Sequence, residues 1–430
     1  MKNKNYAVPA PISTFIFDLY SKSVGHPNLL PHVNHIAELY KQVPPDDLSE
    51  AVGFVKNVVQ YNCVQHLGHK SGIVVGATGF GKSRIALILI DRLLQDLPNL
   101  RVLIVVPTEK LRDENWKEEF DKWEMTNVYQ SNIKRTCYAS LHKIENEVFD
   151  LVVLDEVHNI TPRHLDFFAS NYISYTIGLT ATYPKEPEKL KVLSELKFNK
   201  LYEITVDQCV KLQLVSPYQL TIVNMWLDDK DKYVKSGTKE KPILNTEKKE
   251  YDYISNQISN LQNKDDKSEL DVKRIGFLVR KRMRFLYEVK SKYLIAESII
   301  TSLPESERTL IFCGSIKQAN QICKYSYHSK STDESLNKFI SKEVSQLSCV
   351  DALNEGMNIP DIDNIVIIQL NQNERDLIQR IGRGIRYRPN HICKIWIIAA
   401  NGTKDKKWIT NAIQSLTTES IKHTHIYNEP

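Results

Sequence analysis

A glycine-rich octapeptide has the residue types and spacing of a phosphate-binding loop. Gly76-Ala77-Thr78-Gly79-Phe80-Gly81-Lys82-Ser83 matches the pattern G-x-x-x-x-G-K-[ST] at every fixed position. A β-prone run, Ile73–Val75, precedes it and a helical run, Arg84–Leu94, follows it, which is the context that the pattern requires. Glycines let backbone N–H groups wrap a phosphate at a helix N-terminus. The residues predicted to form this loop are Gly76, Thr78, Gly79 and Gly81.

Two side chains at the end of this loop have the chemistry that a nucleotide phosphate requires. The Lys82 ammonium is suited to neutralise charge on the β- and γ-phosphates, and the Ser83 hydroxyl is suited to ligate Mg²⁺. A chance glycine-rich turn is the alternative, but it does not explain the strand and helix patterns on either side. The loop therefore predicts binding of a nucleotide with Mg²⁺.

An acidic pair at the end of another apolar run would complete such a site. Residues 149–158 read Phe-Asp-Leu-Val-Val-Leu-Asp-Glu-Val-His, in which a strand-like run leads to Asp155 and Glu156. Asp155 is placed to hold Mg²⁺ through water, and Glu156 can polarise the attacking water as a general base. Adjacent acids also occur in solvated turns. Together with the phosphate loop, however, the pair favours hydrolysis of a nucleoside triphosphate.

The composition excludes several classes of protein. The chain has 430 residues, of which 42% are hydrophobic and 25% charged, as expected for a soluble protein with two or three domains. Its apolar runs, such as Ile85–Ile90, are much shorter than the ~20 residues that cross a bilayer. No apolar signal region follows the basic N-terminus. We therefore expect a cytoplasmic protein without a membrane partner.

Charge and cysteine content constrain the partners less strongly. The net charge of +5 permits a polyanionic partner without requiring one. Seven scattered cysteines form no C-x-x-C pair. Buried reduced thiols are therefore expected, and neither a disulfide framework nor a zinc site is.

Short β-rich runs alternate with amphipathic helical stretches in two parts of the chain, which predicts an α/β fold with parallel sheets. The runs are Gly72–Gly76, Val102–Val106, Thr136–Ala139, Leu151–Leu154 and Thr176–Leu179, then Thr309–Cys313, Gln346–Val350, Ile365–Leu370 and Ile392–Ala399. Between them the chain is polar and lacks clear periodicity. The predicted organisation is a helical N-terminal extension (1–56), a first lobe (57–216), a polar helical insert (217–292) and a second lobe (293–430).

Asp-Glu-Val-His at residues 155–158 resembles the DExH box of the superfamily 2 helicases and translocases. Other segments resemble the motifs of that superfamily, in the same order along the chain. They are Val106–Leu111 (motif Ia), Tyr138–Leu141, Leu179–Thr182 (motif III), Leu310–Ser315 (motif IV), Asp351–Pro360 (motif V) and Gln379–Arg386 (motif VI). The resemblance covers residues 57–410. It implies two tandem RecA-like lobes that couple ATP hydrolysis to movement along, or remodelling of, DNA.

Within the superfamily, the closest resemblance is to phage UvsW-type helicases, through the DExH box, Glu355–Asp361 and Gly402–Trp408. XPB-like and restriction-enzyme motors are similar as well. A bacterial or phage-infected cell is implied. Two alternatives remain open: an RNA helicase, or the motor subunit of a restriction or anti-phage complex, which works with a protein partner and does not unwind alone.

The resemblance assigns motif VI to ATP hydrolysis. Arg383 and Arg386 lie three residues apart on a predicted helical stretch, so both can face one cleft. They are implied to reach the γ-phosphate as arginine fingers. Gln379 and Arg380 are implied to fasten the same helix to the nucleotide and to the strand that carries the DExH box.

Three residues of the first lobe are implied to couple hydrolysis to the nucleic acid. His158, Thr180 and Thr182 are the members of this predicted relay. They are expected to transmit the loss of the γ-phosphate to a strand that lies across both lobes.

Recognition of adenine is less clearly marked. The superfamily usually places a Gln upstream of the phosphate loop, with an Arg three residues before it. Gln60 is the best candidate, but Asn57 occupies the Arg position and Gln65 is a rival. Either glutamine could also be an ordinary surface residue.

Nucleic-acid contacts are expected to be mainly with phosphates and hence sensitive to salt. The candidates are Thr108, Lys110, Ser140, Gly314, Ser315 and Asn354. The segment Lys264–Lys292, with Arg280-Lys281-Arg282-Met283-Arg284 at its centre, is either a helical element that binds duplex or couples the lobes, or a solvated charged helix.

Overall fold

The computed structural model describes residues 19, 30–42, 48–237, 241–350, 359, 361–370, 374–388, 390–414, 416 and 421–427. The chain divides into two compact units. The first extends to Pro217 and also contains Ile385–His391, and the second begins at Tyr218. Among the described residues, no helix is both long and apolar enough to span a membrane.

The first unit is a six-stranded parallel sheet in the order β3-β2-β4-β5-β1-β6, with helices along its connections. Its strands are β1 Gly72–Gly76, β2 Val102–Val106, β3 Ile133–Cys137, β4 Val148–Asp155, β5 Tyr172–Thr180 and β6 Asn199–Ile204. Its α-helices are α1 Leu30–Gln42, α2 Leu48–Leu67, α3 Lys82–Asp96, α4 Trp116–Lys122, α5 Thr126–Ser131, α6 Leu165–Ser170, α7 Pro187–Glu195 and α8 Val206–Lys211. A π-helical turn, Leu111–Asn115, leads into α4, and 3₁₀ turns occupy Tyr138–Lys143, Val157–Asn159 and Pro162–His164.

The second unit is a seven-stranded sheet in the order β11-β12-β10-β13-β14-β7-β15, also parallel throughout. Its strands are β7 Tyr218–Met225, β10 Thr309–Phe312, β11 Ser326–Tyr327, β12 Gln346–Cys349, β13 Asn364–Ile367, β14 Cys393–Ala400 and β15 Ile421–Tyr427. A two-stranded antiparallel ribbon is formed by β8 Val234–Gly237 and β9 Pro242–Asn245. Its helices are α9 Glu247–Gln262, α10 Glu269–Glu288, α11 Lys290–Ser302, α12 Ile316–Ile322, α13 Glu334–Ile340, α14 Glu374–Gly384 and α15 Lys404–Ala412.

Apolar strands form the core of each unit, as all-parallel sheets require because helices cover both faces. In the first unit β1 and β2 are buried along their whole length, and Leu103, Val105 and Leu154 belong to one cluster with Ile73 and Val75. All seven cysteines are buried with free thiols. The predicted class, two α/β halves with parallel sheets and a helical insert, is confirmed.

The structure differs from the sequence-based prediction around residue 217. The interval assigned to an insert begins with β7, which lies inside the second sheet between β14 and β15. The buried run Tyr218–Met225 is bounded by polar residues, and its pairing partner β14 follows much later in the chain, so local periodicity did not reveal it. The polar part of the predicted insert contains the helices α9 and α10.

Candidate active site

Three predicted motifs follow three strands that lie side by side in the first sheet. β5 pairs in parallel with β1 on one side and with β4 on the other. The phosphate loop begins at the last residue of β1, the acidic pair begins at the last residue of β4 and the Thr-Ala-Thr segment begins at the last residue of β5. Since parallel strands end at the same edge, the three motifs meet there, which is the edge at which open α/β sheets bind ligands.

The phosphate loop has a backbone conformation that depends on glycine. Gly79 and Gly81 have φ values of 91° and 88°, a region that side chains with a Cβ rarely enter. Gly81 is the N-cap of α3 and no side chain caps the helix there. The first N–H groups of a helix have no partner within the helix, so this end is available to an anion.

The lysine of the loop reaches the acidic pair. Lys82 Nζ lies 4.0 Å from Glu156 Oε1 and donates a 3.4 Å hydrogen bond to Gly76 O. A Cβ on Gly76 would be only 3.0 Å from the Phe80 ring and 3.2 Å from Lys82 Cγ, so the close packing of the loop favours glycine there. The Lys82 ammonium therefore lies between the loop and the carboxylates.

Asp155 is held by groups from three directions. Its Oδ2 accepts from Trp116 Nε1 at 3.0 Å, its Oδ1 accepts from Glu156 N at 3.1 Å, and its backbone oxygen accepts from Tyr138 Oη at 3.0 Å. Burial and the neighbouring Glu156 carboxylate raise the pKa of Asp155 to about 6, although Lys82 acts in the opposite direction. The Asp155 and Glu156 carboxylates are the hard oxygen donors that Mg²⁺ prefers.

Glu156 begins a chain of polar contacts that runs into the Thr-Ala-Thr segment. Its backbone is left-handed, with a φ of 49°, which turns the chain sharply after β4. Glu156 Oε2 lies 3.3 Å from His158 Nδ1, and His158 Nδ1 lies 3.3 Å from Thr180 Oγ1. Thr180 Oγ1 donates to Thr182 O at 2.9 Å. The structure thus brings together the three residues predicted as a relay.

Helix α2 is fastened to the back of the phosphate loop. Gln60 Nε2 donates to Phe80 O at 2.7 Å, and Lys56 Nζ donates to Gly79 O at 2.8 Å. Burial lowers the pKa of the Lys56 ammonium. Gln65, the rival candidate, is exposed. Lys56 was not predicted from the sequence, although its i, i+4 spacing from Gln60 would have placed both on one helix face.

Motif VI is only partly helical. α14 ends at Gly384, and Arg386 lies beyond it in an isolated antiparallel bridge with Val215. The prediction that Arg383 and Arg386 share one helix is therefore wrong. Gly384 packs directly against Cys393 and Ile365, which leaves no room for a Cβ, and a glycine at this position also favours the end of a helix.

The residues of motif VI belong to different units. Arg386 lies within Ile385–His391, the segment assigned to the unit that contains the phosphate loop, whereas Gln379, Arg380 and Arg383 belong to the second unit. All three of the latter are buried. Arg380 Nη1 donates to Gln369 O at 2.8 Å, and the guanidinium lies 4.9 Å from the centre of the Phe312 ring.

The candidates for nucleic-acid contact follow strand ends in both units. Thr108 and Lys110 are exposed after β2, and Ser140 follows β3. In the second unit Ser315 caps α12 by accepting from Gln318 N, and Gly314 packs against the Tyr287 ring. Asn354 and most of motif V lie outside the described residues.

The insert presents a basic face that the sequence only suggested. Leu278 and Phe285 of α10 pack against Ile254 and Ile258 of α9, so the opposite side of α10 faces outward. On that side Phe277 is 61% exposed. The exposed arginines around it, at three- and four-residue intervals, form no ion pair within the described part of the chain: Arg274, Arg280 and Arg284.

Comparison with known families agrees with these features. The model of the Type III restriction enzyme res subunit family matches residues 49–185, and the helicase conserved C-terminal domain matches residues 290–388. The two matches contain the phosphate loop, the DExH box and motif VI, and together cover more than half of the chain. The chain is a superfamily 2 helicase. Helicases of this kind are ATP-hydrolysing, nucleic-acid-stimulated enzymes.

One relative and one solved structure are similar to the chain over most of its length. The helicase is 25% identical over 368 residues to the DNA 3'-5' translocase XPB2 of Sulfurisphaera tokodaii, which covers 79% of this chain and 80% of the relative. The Hef helicase domain of Pyrococcus furiosus has a TM-score of 0.50 at 16% identity, over 84% of this chain and 97% of the other.

A second solved structure shares the fold. The ATP-dependent Type ISP restriction-modification enzyme LlaBIII, bound to DNA, gives a TM-score of 0.52 at 12% identity, over 87% of this helicase and 31% of the larger chain. At these identities the likeness concerns the fold alone, namely two tandem RecA-like lobes.

Proposed function

We propose that this helicase is a DNA translocase in which ATP hydrolysis at the phosphate loop drives movement along duplex or forked DNA. The observation that carries the proposal is the unbroken series of contacts Lys82–Glu156–His158–Thr180 at the ends of three adjacent strands. It connects the groups expected to touch the γ-phosphate with the segment expected to respond to nucleic acid. Similarity to the DNA translocase XPB2 and to a DNA-bound restriction enzyme supports DNA over RNA.

We assign the catalytic roles as follows. Lys82 and the glycine-rich loop bind the phosphates, and Glu156 accepts a proton from the attacking water. Arg383 and Arg386 stabilise the negative charge that develops on the γ-phosphate. Ser83 and Asp155 would hold Mg²⁺, which when bound screens the charge of the phosphate oxygens. Gln379 would contribute to nucleotide binding.

Arg380 and Gln60 act one step further from the nucleotide in this assignment. The Arg380 guanidinium is engaged with Gln369 O and the Phe312 ring, which suits a residue that holds α14 in place. The Gln60 amide is engaged with the loop backbone, so its role includes supporting the loop even if it also reads adenine.

Nucleic acid is proposed to contact the ends of strands and the outer face of α10. Thr108, Lys110, Ser140, Gly314 and Ser315 are retained as candidates for phosphate contacts, together with Asn354. The exposed Phe277 among arginines is a combination that binds polyanions through charge and bases through stacking.

The experiment that tests the proposal measures ATP turnover of the wild type and Lys82→Ala with single-stranded DNA, duplex DNA and RNA in turn. We expect duplex or forked DNA to stimulate the wild type most and Lys82→Ala to be inactive with all three. Lys191→Ala, an exposed lysine on α7, is the matched control. Stimulation by RNA alone would favour an RNA helicase instead.

A second candidate function is the motor subunit of a larger restriction or anti-phage complex. The match to the res subunit family favours it. The chain alone would then hydrolyse ATP on DNA but would not separate a forked duplex. Strand-displacement assays with a 3′ or a 5′ tail distinguish this case and also test the 3'-5' polarity that similarity to the XPB2 translocase suggests.

A further inference from the structure

A buried polar cluster in the second unit contains none of the residues assigned above to ATP or nucleic acid. Lys292 and Asp405, 0% and 1% exposed, form an ion pair. Lys292 Nζ also donates to Gln369 Oε1 at 2.5 Å, and Gln369 Nε2 donates to Asp405 Oδ1 at 3.1 Å. We call Lys292, Gln369 and Asp405 the buried trio.

Local structure explains how Asp405 reaches this position. Gly402 has a φ of 69°, and Thr403 caps α15 by accepting from Asp405 N. Asp405 therefore lies in the first turn of α15, where the helix dipole favours a negative charge. Lys292 lies in the first turn of α11, where the dipole disfavours a positive charge, so it depends on its partner. The Gly402–Asp405 run thereby acquires a physical role.

The trio is too costly to be explained by stability alone. Removing two charges from water costs several kcal/mol per ion, and apolar residues often replace a buried pair without loss. What the pair does provide is a fixed position for the Gln369 side chain. Both ends of that amide are held, the oxygen by Lys292 and the nitrogen by Asp405, so the backbone of residue 369 is held as well.

That backbone is the attachment point of motif VI. Gln369 follows β13, and its carbonyl oxygen accepts the 2.8 Å hydrogen bond from Arg380 Nη1. Arg380 is 2% exposed and lies on α14, three residues before Arg383. A shift of the carbonyl would therefore be passed to the helix that carries Arg383.

The same cluster continues towards the insert. Ser291, the neighbour of Lys292, donates to Glu247 from its backbone N at 3.0 Å and from its hydroxyl at 2.6 Å. Glu247 is fully buried at the start of α9. Hydrogen bonds, together with the peptide bond between Ser291 and Lys292, thus connect the start of α9, through the trio, to Arg380.

We propose that the buried trio is a positioning device for motif VI, which fixes α14 through the Gln369 carbonyl and connects it to the α9–α10 hairpin. None of the three residues touches the reacting atoms. The inference rests on the proposed function, because the effect assigned to the trio is an effect on the rate of that ATP hydrolysis.

The test uses Gln369→Leu in the full chain, which removes the side-chain hydrogen bonds of Gln369 to Lys292, Asp405 and Leu370 O but retains the Lys292–Asp405 ion pair. With saturating duplex DNA we expect kcat to fall by about tenfold to a hundredfold, as for other small misplacements of catalytic groups. The KM for ATP and the affinity for DNA should change by less than about twofold, because binding groups are untouched.

The matched control is Asn364→Leu. Asn364 is an equally buried amide at the opposite end of β13, where it donates to Glu307 and Thr309. Its substitution should lower the thermal midpoint about as much as Gln369→Leu, with kcat unchanged. Equal kcat values for the two variants would overturn the inference.

A double-mutant cycle separates positioning from a general loss of structure. If Gln369 acts through Arg380, then Gln369→Leu combined with Arg380→Met should lower kcat no more than the more damaging single change. Full additivity would overturn the inference. If Gln369→Leu does not fold, Lys292→Met combined with Asp405→Leu releases the same amide without leaving a lone buried charge. This double variant should show the same loss of kcat. A wild-type kcat in the double variant would also overturn the inference.

The wild-type measurement separates failure of the trio from failure of the proposed function. A wild type that hydrolyses no ATP with any nucleic acid contradicts the proposed function. An active wild type whose kcat survives loss of the Gln369 amide contradicts only the role of the trio.

Discussion

In the first unit Lys82, Glu156 and His158 reach one another directly at neighbouring strand ends, whereas in the second unit Arg380 is held through residues that come from other elements. Each contact of the first series joins residues inside predicted motifs. The supports of Arg380 are Gln369, after β13, and through it Lys292 of α11 and Asp405 of α15. The units therefore secure their functional side chains by different means.

The difference follows from where the motifs lie in each sheet. In the first unit three motifs end three adjacent parallel strands, so the sheet itself brings their side chains together. In the second unit the arginines lie along a helix, whose orientation depends on packing against several other elements. In the first unit the contact partners of a motif residue therefore belong to other motifs. In the second unit they belong to segments that no nucleotide-binding motif includes.

The largest expected effect comes from Arg383→Ala. An arginine that stabilises the transferring phosphoryl group contributes about 10³-fold or more to the rate of such reactions. We expect kcat for ATP to fall by that order, with little change in the KM, as measured by steady-state ATP turnover on DNA.

Its control is Arg163→Ala, an exposed arginine in a 3₁₀ turn of the first unit. A loss of kcat below about tenfold for Arg383→Ala would remove motif VI from the catalytic step. The comparison between the units would then concern structure only.

Much of the first unit could be predicted because its signals are local. The fixed spacing of the phosphate loop and the apolar runs before each motif identify β1, β2 and β4 with their functional ends. His158, Thr180 and Thr182, chosen from the resemblance, lie in contact with one another, and their role as a relay stays a prediction. Trp116 was missed, because a single tryptophan in a helix carries no signal that it donates to Asp155.

The second unit was less predictable because its sheet pairs strands that lie far apart in the sequence. β7 and β15 pair with each other, yet one precedes and the other follows nearly all of the remaining sheet. The end of α14 at Gly384 depends on its packing against Cys393, which the sequence does not reveal. The role of Gln369 depends on its contacts with Lys292 and Asp405, which lie far from it in the sequence.

The second prediction concerns the series of contacts in the first unit. Thr180→Ala with Thr182→Ala removes the hydroxyl that lies 3.3 Å from His158 Nδ1. Because Lys82, Asp155 and Glu156 keep their places, most ATP turnover should remain. Strand displacement on a forked duplex should fall by about tenfold or more, since coupling free energies between sites are typically 1–3 kcal/mol.

The control is Ser170→Ala, which removes a half-buried hydroxyl at the end of α6. That hydroxyl donates to Phe167 O, so the variant loses a comparable side-chain hydrogen bond away from the relay. Equal losses of ATP turnover and strand displacement in the double variant would argue against a relay. The direct contacts of the first unit would then serve hydrolysis alone.

The third prediction tests the outer face of α10. Arg280→Ala with Arg284→Ala should weaken DNA binding and reduce the slope of log affinity against log salt by about 2, one for each phosphate that the variant no longer neutralises. ATP turnover without DNA should be unchanged. Fluorescence anisotropy over a series of salt concentrations measures the affinity and its slope.

Arg92→Ala with Lys191→Ala removes the same charge from exposed positions of the first unit and is the matched control. If both pairs change the salt dependence equally, the effect is one of net charge. The α10 face would then be a solvated helix surface that does not bind DNA. The contacts from Glu247 to Arg380 would in that case not connect DNA binding to motif VI.

The smallest effect is expected for Trp116→Phe, which removes the 3.0 Å hydrogen bond to Asp155 Oδ2 and retains most of the buried ring. A net hydrogen bond contributes about 1 kcal/mol, or roughly a fivefold change in rate. Because Asp155 keeps its contacts with Glu156 N and Tyr138 Oη, kcat should fall by no more than that. The comparison with Gln369→Leu is the informative one: a larger loss for Trp116→Phe would mean that the first unit depends on unmarked neighbours as much as the second does.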